Sequence, residues 1–355
     1  MSIRTRALAA VLGVSVLLAG CADSPAATEP AAPASPTDAA VETSPPAVEP
    51  VEQVTVRLAS LKGPTTMGLV DLIRNAQDEP APDAPRYEAT MYGTADEVVP
   101  QLIQGEVDAA LIPANLAAVV HARTQESGSP GIAVAAITTL GVLEVVEAGD
   151  TVHSVADLAG RTVLSTGKGT TPEHVLNHVL RSNGLEPGSD VLVEYRSEAT
   201  EVAALLATTP GAIAVLPQPF VTVVTTQNPG VRTALRLTEE WAAVSPDSEL
   251  VTGVLVVRQA FAAEHPETVA RILADVDASA RFTNEHPAEA AVLIAEAGIV
   301  PAPALAEQAI PACNITFVAG EEMHALLSGY LAVLHEADPA SVGGSLPDDD
   351  FYHRP

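Results

Sequence analysis

The sequence predicts an α/β protein of two similar lobes facing each other across a cleft. Three observations carry this. A succession of strand, polar loop, helix, strand, helix and strand occurs twice, each copy holds one of the chain's two lysines, and each ends in a short apolar run stopped by proline. Short apolar runs alternating with helical pattern mark α/β units. Two such units in one chain suit a binding protein better than a one-lobed enzyme.

In the first copy, the apolar run Val54-Thr55-Val56-Arg57-Leu58-Ala59 leads to Lys62-Gly63-Pro64-Thr65-Thr66. In the second, Thr162-Val163-Leu164 leads to Lys168-Gly169-Thr170-Thr171-Pro172. About thirty residues beyond each lysine, a strand-like run ends in tyrosine, Tyr92 in one copy and Tyr195 in the other. Thr94-Ala95-Asp96-Glu97 has the pattern of a capping box and opens a helix with Val98, Leu102 and Ile103 on its apolar face. Gly105 ends that helix, and Ala109-Ala110-Leu111-Ile112-Pro113 follows as a strand. Thr171 and Pro172 fit an N-cap and a first helical position, Asn183-Gly184 closes the helix, and Ile213-Ala214-Val215-Leu216-Pro217 is the matching strand.

Between the copies, apolar runs over 132–143 and 143–146 predict a first crossing between lobes, and 250–257 a second. Beyond it, Pro266, Pro287 and Gly320 each open an alanine-rich helix, expected to pack back onto the first lobe. The acidic end, Pro347-Asp348-Asp349-Asp350-Phe351-Tyr352, reads as solvated tail by default, with Phe351 and Tyr352 apolar enough to dock.

Arg4 and Arg6 precede an apolar stretch, Ala7 to Leu18, that is too short to span a bilayer and ends in Leu18-Ala19-Gly20-Cys21. This is the pattern of a signal peptide. Cysteine directly after Leu-Ala-Gly resembles the bacterial lipobox, where the thiol takes a diacylglyceryl group and the new amino end is acylated, for example with palmitate. The plainer alternative is a secretory signal with a chance cysteine. Residues 22–51 are rich in proline, alanine and acid, without a basic residue, and cannot bury a core. They read as a disordered tether.

The formal charge of −28 argues against nucleic acid as partner. With Cys21 lipidated, Cys313 stands alone, so no intrachain disulfide forms, and it reads as a small buried residue. No nucleophile elbow, zinc-protease pair or dinucleotide fingerprint occurs.

Four stretches resemble the solute-binding lipoproteins of ABC importers with the type II periplasmic-binding fold, in the nitrate, sulfonate, taurine and thiamine-precursor branch. They are Leu102 to Ala110, Ser154 to Val163 (with Asp157-Leu158-Ala159-Gly160-Arg161-Thr162-Val163), Thr252 to Arg258 with Phe261 and Pro266, and Leu216-Pro217-Gln218-Pro219-Phe220. The resemblance implies an α/β fold of two Rossmann-like lobes, with a ligand cleft at the carboxyl ends of the strands. It implies a signal peptide with lipobox over 1–21, lobe one over 52–141 plus 250–340, lobe two over 142–249 and an acidic tail over 341–355. It also implies a non-enzymatic monomer without cofactor or metal, held outside the cytoplasm on the bacterial membrane by lipid. Its partners would be a small solute, either an organic anion or a heteroaromatic precursor, and a permease with its ATPase. Alternatives are an enzyme on the same scaffold and a lipoprotein presenting ligand to a membrane sensor. Gln218 stands where the family often has an acid, which leaves the solute's charge open.

The candidate ligand residues lie where loops offer N–H groups and hydroxyls at helix starts, which favours negative charge. They are Lys62, Gly63, Thr65 and Thr66 in the first loop, and Ser165, Thr166, Lys168, Gly169, Thr170 and Thr171 in the second. Tyr92, Asn115, Thr138, Thr139 and Gln218 end strands or open helices, and simple capping is their plainer role. The lysines' plainer role is that of solvated turn residues. His174 and His178 share a helix face but lack a third zinc ligand, so a polar face is the expectation. Trp241 is read as a cleft lid or as lobe-two surface.

Overall fold

The strands follow the doubled programme. The computed structural model describes residues 53–81, 84–129 and 131–354. The signal peptide, the lipobox at Cys21 and the tether lie outside the described residues. One sheet contains β1 (Thr55–Leu61), β2 (Arg86–Tyr92), β3 (Ala109–Pro113), β4 (Ile132–Thr139), β10 (Gly253–Arg258) and β11 (Ile315–Val318), in the order β11-β4-β10-β3-β1-β2. The other contains β5 (Leu143–Glu147), β6 (Thr162–Ser165), β7 (Leu192–Tyr195), β8 (Ile213–Pro217) and β9 (Arg232–Arg236), in the order β7-β6-β8-β5-β9.

Each copy becomes three parallel strands with its first strand in the middle, β2-β1-β3 and β7-β6-β8. An antiparallel strand flanks each trio, β10 beside β3 and β5 beside β8. The registers match: Leu61 pairs with Tyr92, and Ser165 with Tyr195. Both lysine loops and both tyrosines therefore stand at carboxyl ends of parallel strands. The chain leaves the first sheet through 140–142 and returns through 245–252, close to the predicted crossings.

Strands β3, β4, β5, β8 and β10 are buried almost along their whole length, with all eight residues of β4 buried, whereas β1 and β6 are exposed at their first residues. A strand covered on both faces needs a continuous apolar run, which explains why no period-two alternation marks these segments. Asp108 ties three strands together at the start of β3. It accepts from the Arg57 backbone N at 3.0 Å, from Arg57 Nε at 2.8 Å and from Arg258 Nη2 at 2.9 Å. Those two guanidiniums hold its carboxyl below the usual range against the opposing effect of burial.

Helix Gly320–Ala337 buries Met323, Leu327, Tyr330, Leu331 and Leu334, a stripe at helical spacing. It lies on β4 and also on helix Thr171–Ser182 of the second lobe. At this seam Trp241 is 1% exposed, with its ring centroid 5.4 Å from Tyr330 and 4.8 Å from His178. Its Nε1 donates to the Ser248 carbonyl at 3.0 Å. It is neither lid nor surface. Leu237 and Trp241, four apart, form the buried face of helix Leu237–Val244.

The acidic end is not solvated throughout. Phe351 and Tyr352 are buried, Tyr352 bridges to Val134, and the His353 N–H donates to the Val134 carbonyl at 2.8 Å. Two aromatic rings outweigh the local acidity. Cys313 is buried with its Sγ 3.7 Å from Met67 Sδ, and burial pushes its thiol up, as expected for an inert residue. No described helix is long and apolar enough to cross a membrane.

Candidate ligand cleft

A cavity of about 350 Å³ lies between the carboxyl ends of the two sheets. Both lysine loops form its walls. In the first loop, Gly63 has φ 143°, a region closed to most side chains, and turns the chain into the short helix Pro64–Met67. Thr65 and Thr66 donate to the Leu61 carbonyl at 2.8 and 2.6 Å, closing the loop onto β1.

In the second loop, Gly167 and Gly169 have φ of 67° and 76°. Thr170 Oγ1 donates to the Gly167 carbonyl at 2.7 Å, and the Glu173 carboxylate accepts from the Gly169 N–H at 2.5 Å. Lys168 Nζ stands 5.8 Å from the centre of the Tyr195 ring. Burial, and then Glu173, push the Tyr195 hydroxyl up, so it remains a neutral donor at neutral pH. Among the described residues, neither Lys62 nor Lys168 has a carboxylate within ion-pair distance. Two ammonium groups free of ion pairs favour an anion in this cavity, against the opposing carboxylates of Asp96 and Glu198 on the same wall.

Of the residues singled out in the sequence, Lys62, Thr65, Thr166, Lys168, Thr170 and Thr171 line this cavity. The others lie behind the wall. Gly63 and Thr66 shape the first loop. Tyr92 donates to Gln101 Oε1 at 2.9 Å. Asn115 donates to the carbonyls of Gly169 and Ser341 at 3.3 and 3.0 Å and accepts from Thr171 Oγ1 at 3.3 Å, tying the lobes together. Ser165 donates to the neighbouring Thr166 carbonyl. Gln218 is buried and committed to Glu144 Oε1 at 3.0 Å and to the Thr222 hydroxyl at 2.8 Å. Thr138 and Thr139 are buried beside the first crossing.

Sequence reasoning missed Thr94, Asp96, Tyr195, Arg196, Glu198, Phe220 and Thr252, which also line the cavity. A signal for several was available. The residues just after Tyr92 and Tyr195 occupy the carboxyl ends of β2 and β7 in both copies, beside the lysine loops. Arg196 is paired with Glu194 and Glu201, so it adds less free charge than the lysines. At the rim, a β-carbon on Gly93 would stand 3.5 Å from both Glu97 Oε1 and Glu198 Oε1. The lobes meet there with like charges.

His178 bonds to Ser245 Oγ at 2.8 Å and packs on Trp241, and burial holds both His174 and His178 below the ordinary histidine value. The face they share is half-buried packing and not a solvated polar face. Among the described residues no three potential metal ligands come together.

A two-lobed α/β fold with its cavity between the carboxyl ends of two matching sheets defines the class as the type II periplasmic-binding fold. The chain belongs to the NMT1/THI5-like family, whose model matches residues 103–290. Comparison with curated proteins returns no match. Among solved structures, an ABC transporter from Parabacteroides distasonis is 21% identical, with a TM-score of 0.67, covering 85% of this chain and 99% of that one. The alkanesulfonate-binding protein SsuA from Xanthomonas axonopodis pv. citri, bound to MOPS, is 15% identical, with a TM-score of 0.63 and coverage of 84% and 96%. The periplasmic nitrate-binding protein NrtA from Synechocystis PCC 6803 is 14% identical, with a TM-score of 0.58 and coverage of 77% and 75%. At these identities the likeness establishes the fold.

Proposed function

We propose that this chain is the extracytoplasmic solute-binding component of an ABC importer. It captures a small organic anion between its lobes and delivers it to a membrane permease with its ATPase. The observation that carries this reading is the convergence of two unpaired lysines, one from each repeat, on a single cavity. Fold relatives described as alkanesulfonate-binding and nitrate-binding both take anions, which supports the same charge here. The lobes are bodies able to close on a ligand that contacts both, shifting an open–closed equilibrium.

The test is a thermal-shift screen over nitrate, alkyl and aryl sulfonates and small carboxylates, with neutral pyrimidines and flavins as the contrast. A ligand present at 100 times its Kd stabilises the folded protein by about 2.7 kcal/mol. An anion giving a saturable rise supports the proposal. Rises confined to the neutral compounds would overturn the anion assignment.

The anchor forms part of the same proposal. Leu18-Ala19-Gly20-Cys21 supports lipidation at Cys21, placing a monomer on the outer face of the cytoplasmic membrane at the end of a proline-rich tether. Several acyl chains, at about 0.8 kcal/mol per buried CH₂, hold a protein durably, where one chain does not. A fatty-acid probe fed to cells is expected to label the native chain and not Cys21→Ser. Equal label on both would remove the anchor.

A further inference from the structure

Asn115 is the second residue of helix Ala114–Ser127, yet its side chain does not cap that helix. It is fully buried, and its amide is committed at the seam between the lobes. Nδ2 donates to the Gly169 carbonyl at 3.3 Å and to the Ser341 carbonyl at 3.0 Å, while Oδ1 accepts from Thr171 Oγ1 at 3.3 Å. A primary amide has two N–H donors, and both are used. Two carbonyls on one side and a hydroxyl on the other also fix its orientation, because the flipped amide would set oxygen against oxygen. The bonds to Gly169 and Thr171 reach from the first lobe into the second.

Those two contacts hold the turn that presents Lys168. Gly169 follows the lysine with φ 76°, and a β-carbon there would meet nothing within 4 Å, so the backbone turn requires the glycine and crowding does not. Its N–H is held from the second lobe, by the Glu173 carboxylate at 2.5 Å, and its carbonyl from the first lobe, by Asn115. The Lys168 side chain is exposed, with Nζ 5.8 Å from the centre of the Tyr195 ring. A long side chain with little packing around it takes its starting direction from the backbone that carries it. Lys168 and Thr171 line the cavity, and Asn115 stands behind them.

We propose that Asn115 is a positioning residue for solute binding, a side chain of the first lobe that sets the backbone of the loop carrying Lys168 in the second without touching the solute. The physical reason is preorganisation: a lysine whose loop is already fixed loses less conformational freedom when it grips an anion. The amide is buried and has exchanged water for these partners, so removing it leaves the Gly169 carbonyl without its cross-lobe donor and frees the turn. The effect on affinity rests on the solute-binding reading, whereas the effect on the loop does not.

The test labels the full chain by reductive ¹³C-methylation, which marks its two lysines for NMR. Lys62→Met and Lys168→Met assign the two signals. Asn115→Ala is expected to move the Lys168 signal and to leave that of Lys62 in place. An unmoved Lys168 signal would overturn the positioning role, and equal movement of both would reduce Asn115 to general packing. If Asn115→Ala fails to fold, Asn115→Ser, whose hydroxyl falls short of the Gly169 carbonyl, decides by the same two signals. Calorimetry then uses the anion with the largest rise in the thermal-shift screen, whether nitrate, a sulfonate or a carboxylate. Asn115→Ala should weaken its Kd about three- to thirtyfold in the native chain, and by less than about twofold in the Lys168→Met chain. A merely structural loss would be the same in both chains and would overturn the proposal. If none of those anions binds the native chain, the anion assignment fails, and the lysine signals still decide the positioning.

Discussion

Replacing both cavity lysines, Lys62→Met with Lys168→Met, is expected to abolish most affinity for the anionic solute while leaving the fold intact. A hydrogen bond to a charged group contributes about 1.5–3 kcal/mol, so each lysine is worth roughly ten- to a hundredfold in Kd. Lys168 is the more exposed of the two and belongs at the lower end of that range, because solvent screens its charge. Neither lysine is committed to an ion pair within the protein, so unfolding stability should change by less than about 0.5 kcal/mol. Calorimetry on the single and double variants, with denaturation curves alongside, separates the two effects. Unaltered affinity in the double variant would return both lysines to solvated turns, and would favour a neutral solute held by Tyr195, Phe220 and the threonine hydroxyls.

Asp108→Ala is expected to cause the largest loss of stability, about 3 kcal/mol, by removing the partner of two arginines at the edge of a buried sheet. Its side chain is 3% exposed and also accepts the Arg57 backbone N–H, so its removal leaves that N–H and Arg258 Nη2 without their acceptor, while Arg258 Nε keeps the Val107 carbonyl. Arg57 is 40% exposed and can turn to water, which keeps the expected loss near the lower end for buried pairs. The control is Arg74→Ala, which breaks a surface pair with Asp71 three residues away and should cost under about 0.5 kcal/mol. Urea unfolding of the two variants measures the contrast. Equal losses would mean that Asp108 is no more than another surface carboxylate.

The difference between Lys168 and Gln218 illustrates how far the sequence was readable. Both follow a strand of the second lobe, and both are candidate ligand residues. Lys168 lies in a glycine-rich loop, where two positive φ angles turn the chain out toward the cavity. Gln218 lies between two prolines and turns inward, where Glu144 and Thr222 satisfy its amide. Local sequence shows that a loop occurs in each place, but not which way its side chains face. The tyrosines that end the second strand of each repeat show the same limit. Tyr195 faces the cavity, while Tyr92 spends its hydroxyl on Gln101 behind the wall. Trp241 was misread because Leu237 and Trp241 show only one turn of apolar spacing, and its aromatic partners come from residues 178 and 330.

By itself the sequence determined the α/β class, the doubled strand programme and the placement of each lysine at a strand's carboxyl end. These follow from short-range chemistry: apolar runs of strand length, glycine where φ must be positive, and capping residues at helix starts. Only the tertiary structure decided which candidates face the cavity, that helix Gly320–Ala337 joins both lobes through Tyr330 and Trp241, and that Phe351 and Tyr352 dock on β4 despite their acidic neighbours. Those outcomes depend on contacts between residues far apart in the chain. Their energies come from burial and from the pairing of distant polar groups, and neither leaves a periodicity in the local sequence.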